Sequence, residues 1–465
     1  MTVPWWGVLP FALLLGCIAT FPLIPRTARL WHHTWFQLAV ALLFGAPMGL
    51  WMWFAGERGA VAHALIEYGS FISLLLSLFV VSGGIFVAGD IRSTPRNNVI
   101  LLMIGAVAAS FIGTTGAAML MIRPILNINA ERQRKAHTVV FAIFLVANCG
   151  GLLTPLGDPP LFLGMLRGVP FLWTMSLFKE WIFVNGLLLV AYYAIDRRQY
   201  AKESASAIVR DDTRIEPISL RGGLNFVLFA AIVAAVALAP SIDLQAIHEG
   251  RAGWAGWVPF REIAMLSAAA LSYWRSDAKV RFRDNGFTWT PILEVAALFL
   301  GIFLAMLPAL RFLRQVAPEL PLGRLTFFVF AGGLSSVLDN APTYATFFEM
   351  GQALGGSPAI AGVREDFLAS ISLGAVFCGA LTYIGNGPNF MVKSIAESAG
   401  VTMPSFGGYA LRWAAVYLLP VLGMMAMVFL VEAWPIRVVG GLLALGWVVG
   451  FIWDASRHPA ARTPT

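Results

Sequence analysis

The sequence predicts an all-α, polytopic membrane protein: two inverted-topology repeats with two re-entrant hairpins, two discontinuous helices and about eleven crossings. Three observations carry that expectation. Of 465 residues, 58% are hydrophobic and 12% charged, against about 25% charged in a soluble domain. Apolar runs of about 20 residues recur from end to end, enough to cross a hydrocarbon core of about 30 Å, without the ~10-residue alternation of a membrane barrel. Finally, a polar, helix-breaking stretch occurs twice. Residues 154–162 and 382–390 both read Thr-x-(Leu/Ile)-Gly-(Asp/Asn)-x-Pro-x-Phe. Such interruptions at membrane depth, matched between two halves, point to a transporter's binding site.

In chain order, the apolar run 4–24 lacks a basic start and a small-residue cleavage site, so it is expected to be a retained helix. Segments 34–54 and 64–89 follow. Segment 99–122 is broken by Gly113-Thr114-Thr115-Gly116, and segment 138–166 holds the first copy of the motif; segment 180–196 ends the first half. The second half runs through 222–240, 256–274 and 291–310. Segment 325–348 is then broken by Asp339-Asn340-Ala341-Pro342, 367–395 holds the second copy, and 410–430 and 434–453 close the chain. The expected units are therefore a first repeat (1–196), a cytoplasmic linker (197–221) read as a solvated tether, a second repeat (222–433) and an extra helix with its tail (434–465).

Loop charge sets the orientation. Were segments 99–122 and 325–348 full crossings, the basic loops 90–98 and 123–137 would lie on opposite sides, against the positive-inside rule. Read as hairpins, they place twenty Lys and Arg in one set of loops and eight in the other. That predicts an integral membrane protein of a bacterial inner membrane, N-terminus outside and C-terminus cytoplasmic, with lipid as its surroundings. The formal charge of +7 is spread over short loops and is no nucleic-acid footprint. The basic run at 275–283 reads as an inside anchor, and Glu67 and Glu262 as interfacial. Cys17, Cys149 and Cys378 fall in apolar segments and read as buried, inert thiols. No P-loop and no cluster of metal ligands is present, so neither an enzyme nor a cofactor is expected, and energy should come from an ion gradient.

Non-helical backbone survives in hydrocarbon only where it is buried in protein or lines a wet cavity. Four interruptions, two per half, most simply converge on one cavity. They supply two carboxylates, Asp158 and Asp339, surrounded by Asn340, Thr154, Asn386, Thr382, Asn148 and Ser336; Thr114, Thr115, Thr343 and Asn389 complete the oxygen-rich set. Carboxylate, amide, hydroxyl and carbonyl oxygens suit a hard cation, so Asp158 and Asp339 are the expected ligands of a transported Na⁺. An intramembrane carboxylate costs about 2.5 kcal/mol or more and favours the neutral form. Proton and cation would then compete for it, coupling their fluxes in opposite directions. Lys393 and Glu294 are secondary candidates, the former as a partner for an anion or an emptied Asp.

At 154–162, 339–342 and 385–389 the chain resembles the ion-transporter superfamily. Within it the chain is most similar to the D-type bacterial sodium/proton antiporters and the putative citrate-transporter-like group. The resemblance implies a scaffold, a mobile body carrying the hairpins, an elevator-like cycle and often a homodimer. Carried over by position, the site is Asp158, Thr154, Asp339, Asn340 and Asn386. The anion-symporter branch has Ser-Asn-Thr at both tips; here Gly-Thr-Thr and Asp-Asn-Ala stand there, which favours exchange of Na⁺ or Li⁺ for H⁺. A Na⁺-coupled di- or tricarboxylate symporter, an arsenite-type efflux permease and a non-transporting membrane receptor are the competing readings.

Overall fold

The computed structural model describes residues 2–22, 24–31, 33–213, 215–242, 244–251 and 253–458. It is almost entirely helical, and the expected polytopic all-α class holds. Seven helices among the described residues are long and apolar enough to cross a membrane, and shorter apolar helices accompany them.

The helices sort into two apolar cores. One joins α1 (Leu9–Thr20), α2 (Thr34–Phe54), α3 (Arg58–Ser82), α9 (Gly223–Leu238), α10 (Phe260–Arg275) and α11 (Thr290–Val316). We call it the scaffold. Its closest crossing is glycine-made. A Cβ on Gly45 of α2 would lie 2.7 Å from the backbone of Gly301 of α11, and one on Gly301 would lie 2.4 Å from the carbonyl of Ala41. Small residues of this kind let membrane helices approach backbone to backbone.

The second core joins the interrupted elements. α4 (Pro95–Ile112) and α5 (Thr114–Ile128) pack as a pair and meet at Gly113. α6 (Ala136–Leu145) runs into an irregular stretch before α7 (Pro159–Leu166), and α8 (Phe178–Tyr200) packs beside them. In the second half, α12 (Arg324–Ser335) and α13 (Asn340–Leu354) meet just before Asp339. α14 (Glu365–Phe377) breaks before α15 (Gly387–Ser398), and α16, the mixed helix Phe406–Leu430, and α17 (Trp434–Arg457) close the body. The expected breaks at 154–158 and 385–386 are interruptions of helix, whereas those expected at 113–116 and 339–342 narrow to Gly113 and to the residues up to Asp339, with Thr114–Gly116 and Asn340–Pro342 already helical. The first arm of the first pair has 18 residues, about 27 Å at 1.5 Å per residue, so by length alone it reaches across a bilayer.

Three expectations from sequence need correction. Segment 64–89 is not one helix: α3 stops at Ser82, Gly83 and Gly84 turn the chain, and β1 (Phe86–Asp90) follows. Nor is the linker a bare tether. α8 continues to Tyr200, a short helix covers Ala205–Thr213, and β2 (Glu216–Arg221) pairs antiparallel with β1, Phe86 opposite Arg221 and Asp90 opposite Glu216. Gly222, at φ +91°, lets the linker abut Gly84, whose carbonyl would sit 2.0 Å from a Cβ there. The backbone bonds of residues 86–90, unusable by a helix that has ended, are met by that pairing. Lastly, the basic run at 275–283 is more than an anchor. Arg281 is 1% exposed and donates to the Val80 carbonyl (2.6 Å) and to the carbonyl and hydroxyl of Ser272 (3.1 and 2.9 Å), which ties the end of α3 to α10.

Candidate ion-binding site

The second core's irregular segments repeat one backbone device. The Thr154 hydroxyl donates to the Ser110 carbonyl, while the amide of Leu156 donates to that hydroxyl at 3.2 Å. In the other half the Thr382 hydroxyl donates to the Ser336 carbonyl (2.5 Å) and the amide of Ile384 to the hydroxyl (3.2 Å). Each break then passes through a glycine that no other residue could replace. A Cβ on Gly157 would fall 2.1 Å from the Gly151 carbonyl, and one on Gly385 would fall 2.5 Å from the Gly379 carbonyl. Thr154 and Thr382 therefore fasten each broken helix to the neighbouring helix pair.

Four helices start at these breaks. Their N-caps are Gly113 (α5), Asp158 (α7), Asp339 (α13) and Asn386 (α15). All four line one cavity of about 250 Å³. Asp158 (φ −142°, ψ 141°) and Asn386 (φ −153°, ψ 138°) share a backbone conformation, and proline follows each within two residues, the position where its missing N–H costs nothing. Neither side chain caps its own helix, so both are free for other work.

Asp158 is 1% exposed. Its Oδ1 accepts from the Thr114 hydroxyl at 2.9 Å and its Oδ2 from Asn340 Nδ2 at 2.5 Å. The carboxylate is thus held between the helix pairs of both halves, by Thr114 of its own and Asn340 of the other. Asn340 is fully buried, and its Oδ1 has no hydrogen-bond partner among the described residues. A buried orphan acceptor is costly and asks for an explanation. Asp339 accepts from the amide of Ala341 at 3.2 Å, and its carbonyl accepts from the Thr343 hydroxyl at 3.0 Å. The two carboxylates therefore face one cavity, each from a different half.

The remaining candidates divide. Thr114, Thr115, Glu294, Asp158, Asp339 and Asn386 line the cavity. Asn386 donates to Asn148 Oδ1 and the Ala147 carbonyl (both 3.2 Å), Asn148 donates to Asn389 Oδ1 (2.6 Å), and Asn389 donates to the carbonyls of Gly379 and Thr382 (2.8 and 2.9 Å). Asn148 and Asn389 thus form a buried strap between the halves. Ser336 donates to Gly333 within its own helix (2.7 Å). Lys393 pairs with Glu397 one turn on (2.7 Å) and does not line the cavity. Among the described residues the lining holds three carboxylates and no Lys or Arg. Its other wall, Phe71, Leu75, Phe79, Val295 and Phe299, comes from the scaffold.

Sequence reasoning missed two buried charge groups. Asp196 accepts from Arg132 (2.5 Å) and Asn98 (3.2 Å) and bonds His137 (2.7 Å), all buried. Glu67 and Glu262, expected at the interface, are 6% and 7% exposed. Glu262 accepts from Ser70 (2.6 Å) and Ser241 (2.9 Å), and Glu67 pairs with Arg167. An acid well inside an apolar helix was the signal available for Glu67.

Residues 1–430 match a family described as putative citrate transport. The chain belongs to that family. It is also similar to two uncharacterized transporters, one of Mycobacterium bovis and one of Mycobacterium tuberculosis. Each is 24% identical over 378 residues, covering 74% of this chain and 82% of theirs. An integral membrane protein of a transporter family is the reading on which sequence, helices and relatives agree.

Proposed function

We propose that the chain is a secondary antiporter that exchanges Na⁺ or Li⁺ for protons by alternating access, with Asp158 and Asp339 as the competing site. The observation that carries this is the charge of the cavity: Asp158, Asp339 and Glu294 line it, and no described Lys or Arg does. A di- or tricarboxylate would meet like charge there. The orphan Asn340 Oδ1 beside Asp158 supports the same reading, because a hard cation is what such an oxygen lacks. Asp158 keeps lone pairs beyond those taken by Thr114 and Asn340. A proton on the carboxyl removes the cation's main ligand, and a cation removes the proton's site. The paired threonine and glycine devices support the inverted repeat, and the arrangement of loop charge supports a cytoplasmic linker.

Everted vesicles with a pH-sensitive dye test this reading. Addition of Na⁺ or Li⁺ should dequench the dye, and Asp158→Asn should abolish the response. No dequenching at any pH from about 6 to 9, the range bracketing a desolvated carboxyl, sinks it. A second reading, Na⁺-coupled carboxylate uptake, is favoured by one observation: four helix N-termini converge on the cavity, each carrying roughly half a positive charge. The family's description points the same way. Sodium-dependent uptake of labelled citrate without proton exchange would select it.

A further inference from the structure

A second cavity, of about 810 Å³, lies at the other ends of the helices that build the first. The site cavity takes Phe71 to Phe79 of α3 and the start of α7; the second takes Gly59 to Ser70 of α3 and residues 165–168 at the end of α7. From the lining of the second cavity, which includes Glu67 and Arg167, runs a chain of alternating charge that crosses twice between the two cores. Glu67 (scaffold, α3) meets Arg167 (end of α7) through Nε at 3.3 Å. Arg167 meets Glu349 (α13) at 3.6 Å and also donates to the Ala345 carbonyl at 3.3 Å. Glu349 meets Arg314 (scaffold, α11) at 3.8 Å. Glu67 and Arg167 are under a tenth exposed.

The two pairs that cross between the cores are longer than the shortest pairs inside either core. Within the scaffold, Arg311 meets Glu57 at 2.5 Å; within the second core, Arg132 meets Asp196 at 2.5 Å and Arg324 meets Asp366 at 2.6 Å. Both links between the cores, Glu67–Arg167 at 3.3 Å and Glu349–Arg314 at 3.8 Å, exceed the usual 2.7–2.9 Å of a charge-assisted bond. The two links sit at the end of α7 and on α13, the helices whose N-caps are Asp158 and Asp339. Motion of those carboxylates relative to the scaffold must pull on Arg167 and Glu349.

We infer that Glu67, Arg167, Glu349 and Arg314 form a charge latch between scaffold and binding body, which closes the far end while the site cavity faces the end where α3 finishes and α11 begins. The latch must part for the site to change sides. Arg167 and Glu349 are positioning residues in this scheme and touch no transported ion. The inference rests on the alternating-access reading but not on which ion is carried.

The test is side-specific labelling in oriented vesicles. Met391→Cys, on the binding body and lining the site cavity, is the reporter, in a Cys17→Ser background that keeps the buried Cys149 and Cys378. A membrane-impermeant maleimide should label it mainly from the linker side. Arg167→Gln should shift labelling toward the opposite side by several-fold, and the exchanged pair Glu67→Arg with Arg167→Glu should shift it back. An unchanged ratio in Arg167→Gln overturns the latch, as does a shift that the exchanged pair leaves in place. Should Arg167→Gln fail to fold, Glu67→Cys with Arg167→Cys replaces it. Oxidation should then freeze the labelling ratio and stop flux, and a reductant should restore both; movement that survives the cross-link overturns the latch. Na⁺/H⁺ flux is read on the same vesicles. A shifted ratio in protein that moves no Na⁺ keeps the latch and sinks the cation reading, whereas flux with an unmoved ratio does the reverse.

Discussion

The two broken helices share a backbone and differ in what it presents. Both pass through a threonine bound to the neighbouring pair, a glycine pressed on a carbonyl, and an extended N-cap followed by proline. At the N-cap one has Asp158 and the other Asn386. Asp158 only accepts, and Thr114 and Asn340 donate to it. Asn386 donates, to Asn148 and Ala147. The shared device shapes the cavity, and the side chain at the N-cap sets the difference: a carboxylate that accepts in one break and an amide that donates in the other. The helix tips differ in the opposite sense, Gly113 in the first half and Asp339 in the second. One carboxylate therefore comes from each half, on a different kind of element.

The largest test of that division is Asp158→Asn. The amide matches the carboxylate in shape but carries no charge for a proton or cation to neutralise. Exchange should fall by at least about 100-fold, equivalent to about 2.7 kcal/mol of lost stabilisation, while the protein still elutes as folded detergent-solubilised material. Dye dequenching in everted vesicles reads the first and size-exclusion chromatography the second. Retention of even a third of the wild-type rate would make Asp158 a brace like its counterpart.

A smaller effect is expected from Asn386→Asp. The carboxylate brings no donor, so it would face Asn148 Oδ1 and the Ala147 carbonyl across 3.2 Å gaps. Exchange should drop about tenfold, the scale of about 1.4 kcal/mol. The double variant Asp158→Asn with Asn386→Asp should stay inactive. Recovery of exchange by moving the carboxylate from one break to the other would show the halves to be interchangeable, and the comparison would fail.

Much of this was legible in the sequence because the breaks use residues with few other purposes inside a membrane. Asp158, Asp339 and Asn386 stood out as polar groups beside proline and glycine in apolar runs. What stayed hidden depended on distance along the chain. That Asn340 would reach Asp158, 182 residues away, follows from how the halves dock, and no local pattern encodes it. Asn148 and Asn389 looked like ligands because an amide in an apolar segment reads the same whether it binds an ion or a carbonyl. The β1–β2 pairing was missed for a different reason. Residues 83–90 are apolar enough to extend a helix, and the partners they meet instead, Gly222 against Gly84 and the Asn225 and Asn285 amides on the carbonyls of Gly83, Gly84 and Ile85, lie far along the chain.

The hydroxyl devices should cost similar amounts in both halves if they are architecture alone. Thr154→Val and Thr382→Val each leave a carbonyl, of Ser110 or Ser336, without its donor, a loss of about 1–3 kcal/mol where the group is buried. Thermal unfolding in detergent should drop by comparable intervals for the two. A loss confined to Thr382→Val would mean that the first break is held by the Asp158 bonds instead. Exchange per folded molecule should change little in either.

The smallest effect concerns pH, and it decides whether a profile can be assigned to the site. Asp90, on β1 outside the helices, has its carboxyl pushed up to about 6, first by burial and then by Glu131, Asp211 and Glu216. Glu216 is its cross-strand neighbour, and like charges so placed repel. Between about pH 4 and 6 the folded chain keeps a proton there that the unfolded chain, near 3.9, has lost. Stability therefore falls as pH rises through that window. Asp90→Asn should flatten the dependence of unfolding temperature on pH between 4 and 7 and raise it slightly at pH 7, while the pH profile of exchange keeps its shape. If the exchange profile moves with Asp90, the β1–β2 ribbon takes part in the cycle, and the proton's effect on transport no longer reads out the difference between Asp158 and Asn386.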